Sequence, residues 1–142
     1  MNIEKLKHEI LEHEGFRDVV YRDHLGNPTV GIGHLIKNNE PWRVGDKLDL
    51  DTIDKLFQYD VNIAMKDAEE YIGIKVPDEC LMILTNMAFQ LGRNRLAGFK
   101  KVKQAILESK WDVAADEMLD SAWRKQTPRR CEELAERMRN VG

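Results

Sequence analysis

The sequence is poor in the features that would commit it to a membrane, a disulfide framework or a metal. No apolar run approaches the ~20 residues that span a bilayer, so no stable membrane insertion is expected. Met1 to Leu11 alternate charged and apolar side chains and lack the apolar core of a secretory signal. Synthesis in the cytoplasm without a signal peptide is therefore expected. Cysteine occurs only at Cys80 and Cys131, without the short spacings of a zinc site. Two free thiols and no metal are predicted. A basic excess is missing too. Residues 1–77 hold 10 Lys and Arg against 15 Asp and Glu, and residues 78–142 hold 12 against 10. That balance argues against nucleic acid as the main partner. The chain also has no internal repeat, low-complexity stretch or flexible linker.

What remains is 142 residues with 42% hydrophobic and 33% charged side chains, enough for one ordinary globular domain with a real core. Periodicity predicts an α+β chain, mostly helical. A first helix spans 2–14, capped by Asn2 and stopped by Gly15. Leu6, Ile10 and Glu14 fall on one stripe of it. A carboxylate on the core side is costly and also meets the negative end of the helix dipole. Both effects favour the protonated form, which a general acid needs. A last-turn side chain frayed into solvent is the competing reading. His8, Glu9, Glu12 and His13 invite a metal site, but the two histidines lie about 140° apart on the helix and cannot grip one zinc. A solvated face is predicted instead.

Val19 to Tyr21 and Thr29 to Leu35 have strand composition, joined by the turn-rich run His24 to Pro28. A continuous second strand would put Thr29, Gly31 and Gly33 on one face. With Asp23 on the preceding loop, that face reads either as a floor cleared for a ligand or as a glycine-rich hairpin packed on a helix. Residues 36–48 are polar and loop-like. A long helix from about 50, capped by Asp49, reaches Ile72 and stops at Gly73. Asp78 is expected to cap an apolar central helix, Leu81 to Leu91, ending at Gly92. Shorter helices are predicted at about 93–97, 99–107 and 111–119. Thr127-Pro128 opens the last, to about Arg139. Core is the default for Trp111 and Trp123.

Several of these residues, in order, resemble the phage-type lysozymes, the muramidase family of bacteriophage endolysins. They include Glu14-Gly15, Tyr21-Arg22-Asp23, Thr29 to His34, Leu56-Phe57 with Asp60-Val61, Asn86 to Gly92, Ala97-Gly98-Phe99, Trp111-Asp112, and Trp123 with Gln126-Thr127-Pro128. The resemblance implies a lysozyme-like two-lobed fold: a small antiparallel-sheet lobe at about 13–50, a linking helix at about 50–72, and a helical lobe at about 73–142 joined by the first helix, with a cleft between the lobes. It implies hydrolysis of the β-1,4 bond between N-acetylmuramic acid and N-acetylglucosamine in peptidoglycan, without metal or organic cofactor. Glu14 matches the general acid, and Asp23 and Thr29 the residues that place the attacking water, with inversion as the outcome. Arg130 matches an arginine that pairs with the catalytic glutamate, and His34 and Asp60 a structural ion pair. Leu35, Phe89 and Gln90 match sugar-contacting residues. Val102 and Glu117 stand at two further sugar-contact positions, where the longest-studied member has small polar side chains. The resemblance further implies a monomer that is released to the wall in the periplasm through a holin-type membrane pore. The alternative is a non-catalytic peptidoglycan-binding or adaptor protein on the same fold.

Overall fold

Asn2 starts the first helix as its sequence predicts. Its side chain accepts the Lys5 N–H at 3.0 Å, and α1 runs Ile3–Glu14 until Gly15, whose N–H bonds the Leu11 carbonyl. A cap of this kind stabilises a helix by about 1 kcal/mol. The structure, a computed structural model, describes residues 1–142. It is α+β and mostly helical: β1 (Arg17–Arg22), β2 (Pro28–Gly31) and β3 (His34–Leu35) form one antiparallel sheet in the order β1-β2-β3. Helices α2 (Leu50–Ile72), α3 (Asp78–Ala97), α4 (Lys100–Leu107), α5 (Trp111–Leu119), α6 (Ala122–Gln126) and α7 (Pro128–Arg139) follow.

Contacts divide the chain into two units, Asn2–Asn62 and Ile63–Gly142 with Met1, so α2 contributes to both. The first unit includes α1. The physical reason is lateral packing on the start of α2. Lys7 Nζ donates to Gln58 Oε1 at 3.3 Å and lies 5.6 Å from the centre of the Phe57 ring. A small core of Val20, Val30, Leu48 and Ile53 underlies the sheet, with Ile36, Trp42 and Leu56 packed against it. The outer side of β1 is covered by the loop before α2, through Val20 N–H to Asp46 O and Leu48 N–H to Asp18 O.

The second strand is not continuous as expected. Ile32 and Gly33 form a turn, after which Thr29 pairs with Leu35 and Val30 with His34. Gly31 and Gly33 both have φ +67°, a conformation that L side chains adopt only at a cost. Space is equally restrictive there. A Cβ on Gly31 would sit 2.9 Å from Ile53 Cγ2, and one on Gly33 would sit 2.8 Å from Glu14 Oε1. The glycines therefore do not clear one face of a strand for a ligand. They let a hairpin close against α2 and against the Glu14 carboxylate.

In Ile63–Gly142 the core is larger and built around α3, whose residues Met82 to Ala88 are all buried. Asp78 is the first residue of α3 rather than its cap; Pro77 takes the cap position, and Asp78 Oδ2 lies 3.3 Å from the Met1 ammonium. The expected break at Gly92 is a kink within α3. Helix α6 was not expected; it brings Trp123, 1% exposed, into the core, in edge contact with Phe99 at 6.0 Å between ring centres. Trp111 is half-buried against the same core. Cys80 and Cys131 are free, buried thiols. Burial raises both, to about 12 and about 11.

Candidate active site

Glu14 is the last residue of α1, where its half-buried side chain turns toward the Ile32–Gly33 hairpin. Its carboxylate rests where a Gly33 side chain would be. Helix end and hairpin thus bring the carboxylate close against the Gly33 backbone.

Asp23 follows β1 and ties the next four residues into a turn. Its Oδ1 accepts the Leu25 N–H at 2.9 Å and the Asn27 N–H at 2.8 Å. Its own N–H donates to Asn27 O, and Gly26 N–H donates to Asp23 O. Arg22 clamps the turn from outside through the Gly26 carbonyl at 3.0 Å. The Asn27 N–H, outweighing a partial loss of solvation, and then the Leu25 N–H hold Asp23 below the ordinary carboxylate range. Asp23 is therefore ionised at neutral pH.

Thr29 is 3% exposed and donates its hydroxyl proton to Asn27 O at 2.9 Å. That leaves the Thr29 oxygen as an acceptor. Asn27 is the link that brings the two residues together: its N–H holds Asp23 and its carbonyl holds Thr29. Thr29 pairs with Tyr21 on one side and Leu35 on the other, so the three side chains share a sheet face. Leu35 is 53% exposed on that face, and the Arg17 guanidinium covers the Tyr21 ring at 4.3 Å.

His34 points to the opposite face and is 4% exposed. Its Nδ1 lies 2.7 Å from Asp60 Oδ2, and its Nε2 lies 3.0 Å from each Glu40 oxygen. Burial alone would lower the imidazole, but the hydrogen bonds to Asp60 and Glu40 and their charges raise it above its ordinary value. Burial likewise opposes ionisation of Glu40, yet the Lys37 N–H at 2.7 Å and His34 hold it low. Glu40 was missed from sequence. It lies in the polar run 36–48, where nothing distinguishes it from a solvated residue.

The remaining expected site residues belong to Ile63–Gly142. Arg130, 7% exposed, is held by Asn86: Nε and Nη2 donate to Asn86 Oδ1 at 3.0 and 2.7 Å. Phe89 is half-buried against the core. Gln90, an expected sugar contact, has its amide engaged at both ends. Its Oε1 accepts from Trp123 Nε1 at 2.9 Å and its Nε2 donates to Thr127 Oγ1 at 3.0 Å. Thr127 consequently makes no side-chain cap for α7. Val102, a further expected contact, is 2% exposed and packed in the core. Half-buried Glu117 lines, with Phe99, Lys100, Lys101, Val102 and Trp123, a concavity of about 510 Å³.

Residues 11–140 match the family model described as Phage lysozyme. The chain is similar to "Probable T4-type lysozyme 2" of Dictyostelium discoideum, at 31% identity over 90% of this chain and 89% of that one. It is also similar to "Pre-baseplate central spike protein Gp5" of Enterobacteria phage T4, at 31% identity over 80% of this chain and 24% of that protein. A third relative is "Peptidoglycan hydrolase gp36" of Pseudomonas phage phiKMV, at 27% identity over 92% of this chain and 14% of that one.

Proposed function

Because the chain belongs to the phage lysozyme family and is a glycoside hydrolase, we propose that it cleaves bacterial peptidoglycan at the β-1,4 bond between N-acetylmuramic acid and N-acetylglucosamine. Glu14 gives its proton to the glycosidic oxygen as the C1–O bond breaks. A water donates one hydrogen bond to Asp23 Oδ2 and one to Thr29 Oγ1. One of the water's lone pairs attacks C1 from the face opposite the leaving sugar, and Asp23 takes a proton from that water. The product is the inverted hemiacetal, a route that requires about 6.5–9.5 Å between the two carboxyl groups to admit water.

The observation that carries this reading is the Asp23–Asn27–Thr29 network. Two acceptors, one an ionised carboxylate and one a hydroxyl oxygen whose proton is already committed, are held by the two ends of a single peptide residue. Such an arrangement suits a water that must keep one lone pair for attack. Leu35 offers an exposed apolar contact on the same sheet face. A binding or adaptor protein would need none of this.

The test is release of reducing ends from purified peptidoglycan. Wild type should release them and Glu14→Gln should not, while both unfold at the same temperature. Undiminished release by Glu14→Gln would remove that residue as the acid, and binding without release by wild type would favour the adaptor. No helix is long and apolar enough to cross a membrane. Access to the periplasmic face of the wall through a partner's holin-type pore, by a monomer of 16.5 kDa, completes the proposal. Sedimentation at twice that mass would overturn the monomer.

A further inference from the structure

A strongly one-signed run of charge surrounds the start of α4. Between Arg93 and Leu107 there are five cations, Arg93, Arg95, Lys100, Lys101 and Lys103, and no acid, in a protein whose net charge is −3. The two arginines are already engaged, Arg93 with Glu70 at 3.6 Å and Arg95 with Gln126. Lys100 and Lys101 are exposed and make no ion pair; Lys103 is half-buried, 6.0 Å from the centre of the Tyr71 ring. All three lysines fall in the first turns of α4, where the helix dipole favours acids. Their mutual repulsion therefore costs stability that an external anion would recover.

We propose that this lysine strip is an electrostatic tether to the peptidoglycan meshwork, whose peptide carboxylates form a hydrated polyanion; the proposal rests on peptidoglycan being the substrate. The shape around the strip favours a chain over a flat surface. Lys100 stands on the shared rim of two open concavities of about 510 and 520 Å³, with Lys101 on one and Lys103 on the other. Carboxylates line both as well, Glu117 and Asp120 the first and Asp67 and Glu70 the second, so the cations a polymer meets without an ion-pair partner are those of the lysine strip itself. A lipid surface is disfavoured because the apolar side of α4, Val102, Ala105 and Ile106, is spent on the core and cannot insert. The tether holds a net-acidic enzyme on an anionic substrate, which its overall charge would otherwise repel.

The experiment is cosedimentation with purified sacculi across a salt series, using Glu14→Gln so that the sacculi survive, with and without Lys100→Gln, Lys101→Gln and Lys103→Gln together. Removing the three lysines should weaken binding at low salt at least tenfold and flatten its dependence on salt. In an active background the same triple change should raise KM on sacculi, leave kcat at its wild-type value and leave the unfolding temperature no lower than wild type, since it relieves the lysines' repulsion. Sacculi with amidated carboxylates should bind the parent protein as weakly as native sacculi bind the triple variant. Unchanged affinity and salt slope in the triple variant would overturn the proposal. So would equal binding to amidated sacculi, or tighter binding to anionic phospholipid vesicles or to RNA. Failure of hydrolysis in wild type would instead count against the proposed function, since the binding measurement needs no turnover.

Discussion

Asn2–Asn62 and Ile63–Gly142 are held together by different means. The second unit has a large core around α3, with Trp123, Met87, Leu84 and Met138 almost wholly buried. In the first, four residues form the sheet core, Leu6, Ile10, Phe57 and Val61 are buried on α1 and α2, and the polar side chains are placed by turns. Asp23 binds its own loop, Gly31 and Gly33 permit close approach, and His34 joins two carboxylates. Apolar contacts are non-directional, whereas hydrogen bonds constrain both distance and angle. The proposed chemistry sits in the unit organised by directional contacts, and the mass of apolar burial lies in the other.

Substitutions in the two units should therefore fail differently. The largest effect is expected for Glu14→Gln, with turnover of peptidoglycan down by on the order of 10³–10⁴ and the unfolding temperature unchanged. Trp123→Ala should do the reverse. It removes a buried ring and strands the Gln90 amide, costing about 4 kcal/mol in denaturant unfolding, with activity retained in the fraction still folded. Gly33→Ala should touch both. A positive φ costs an alanine about 1 kcal/mol, and displacement of the Glu14 carboxylate should lower kcat by about 10²-fold. Equal losses of activity and stability in all three variants would erase the distinction between the units.

The smallest effect should appear in the pH dependence of stability. His34 is raised in the folded state, so its contribution is complete below about 6.5 and is lost as pH rises through its folded value. Glu40 and Asp23 are lowered, so their contributions are complete above about 4.5 and 3.8 and are lost as pH falls through their folded values. Wild type should therefore lose its advantage over His34→Asn as pH rises above about 6.5 in urea titrations. A constant difference between the two proteins would contradict the ion-paired imidazole.

Helix boundaries were legible where a local signal exists. Asn2 and Gly15 bound α1, and Asp49 caps α2 through the Thr52 N–H at 2.7 Å. Thr29 to Leu35 was misread because an alternating β-branched and glycine sequence looks the same for a strand and for a tight hairpin. The difference lies in the sign of φ at Gly31 and Gly33, set by contacts with Ile53 and Glu14 from distant parts of the chain. In the candidate site, the residue types and the HLGNP turn were visible, but the Asn27 link was not, since it uses backbone atoms that every residue has. Gln90 and Val102 were assigned outward roles by resemblance; their inward roles follow from Trp123 and the core, which only the folded chain brings to them.

The central claim is that Asp23 and Thr29 aim a water at the sugar carbon while Glu14 protonates the departing oxygen. NMR of the anomeric protons during the first minutes of peptidoglycan digestion tests it most directly. The account predicts that the new reducing ends appear first as the α-anomer, inverted from the β-linkage, and then mutarotate. First appearance of the β-anomer would show retention and contradict it.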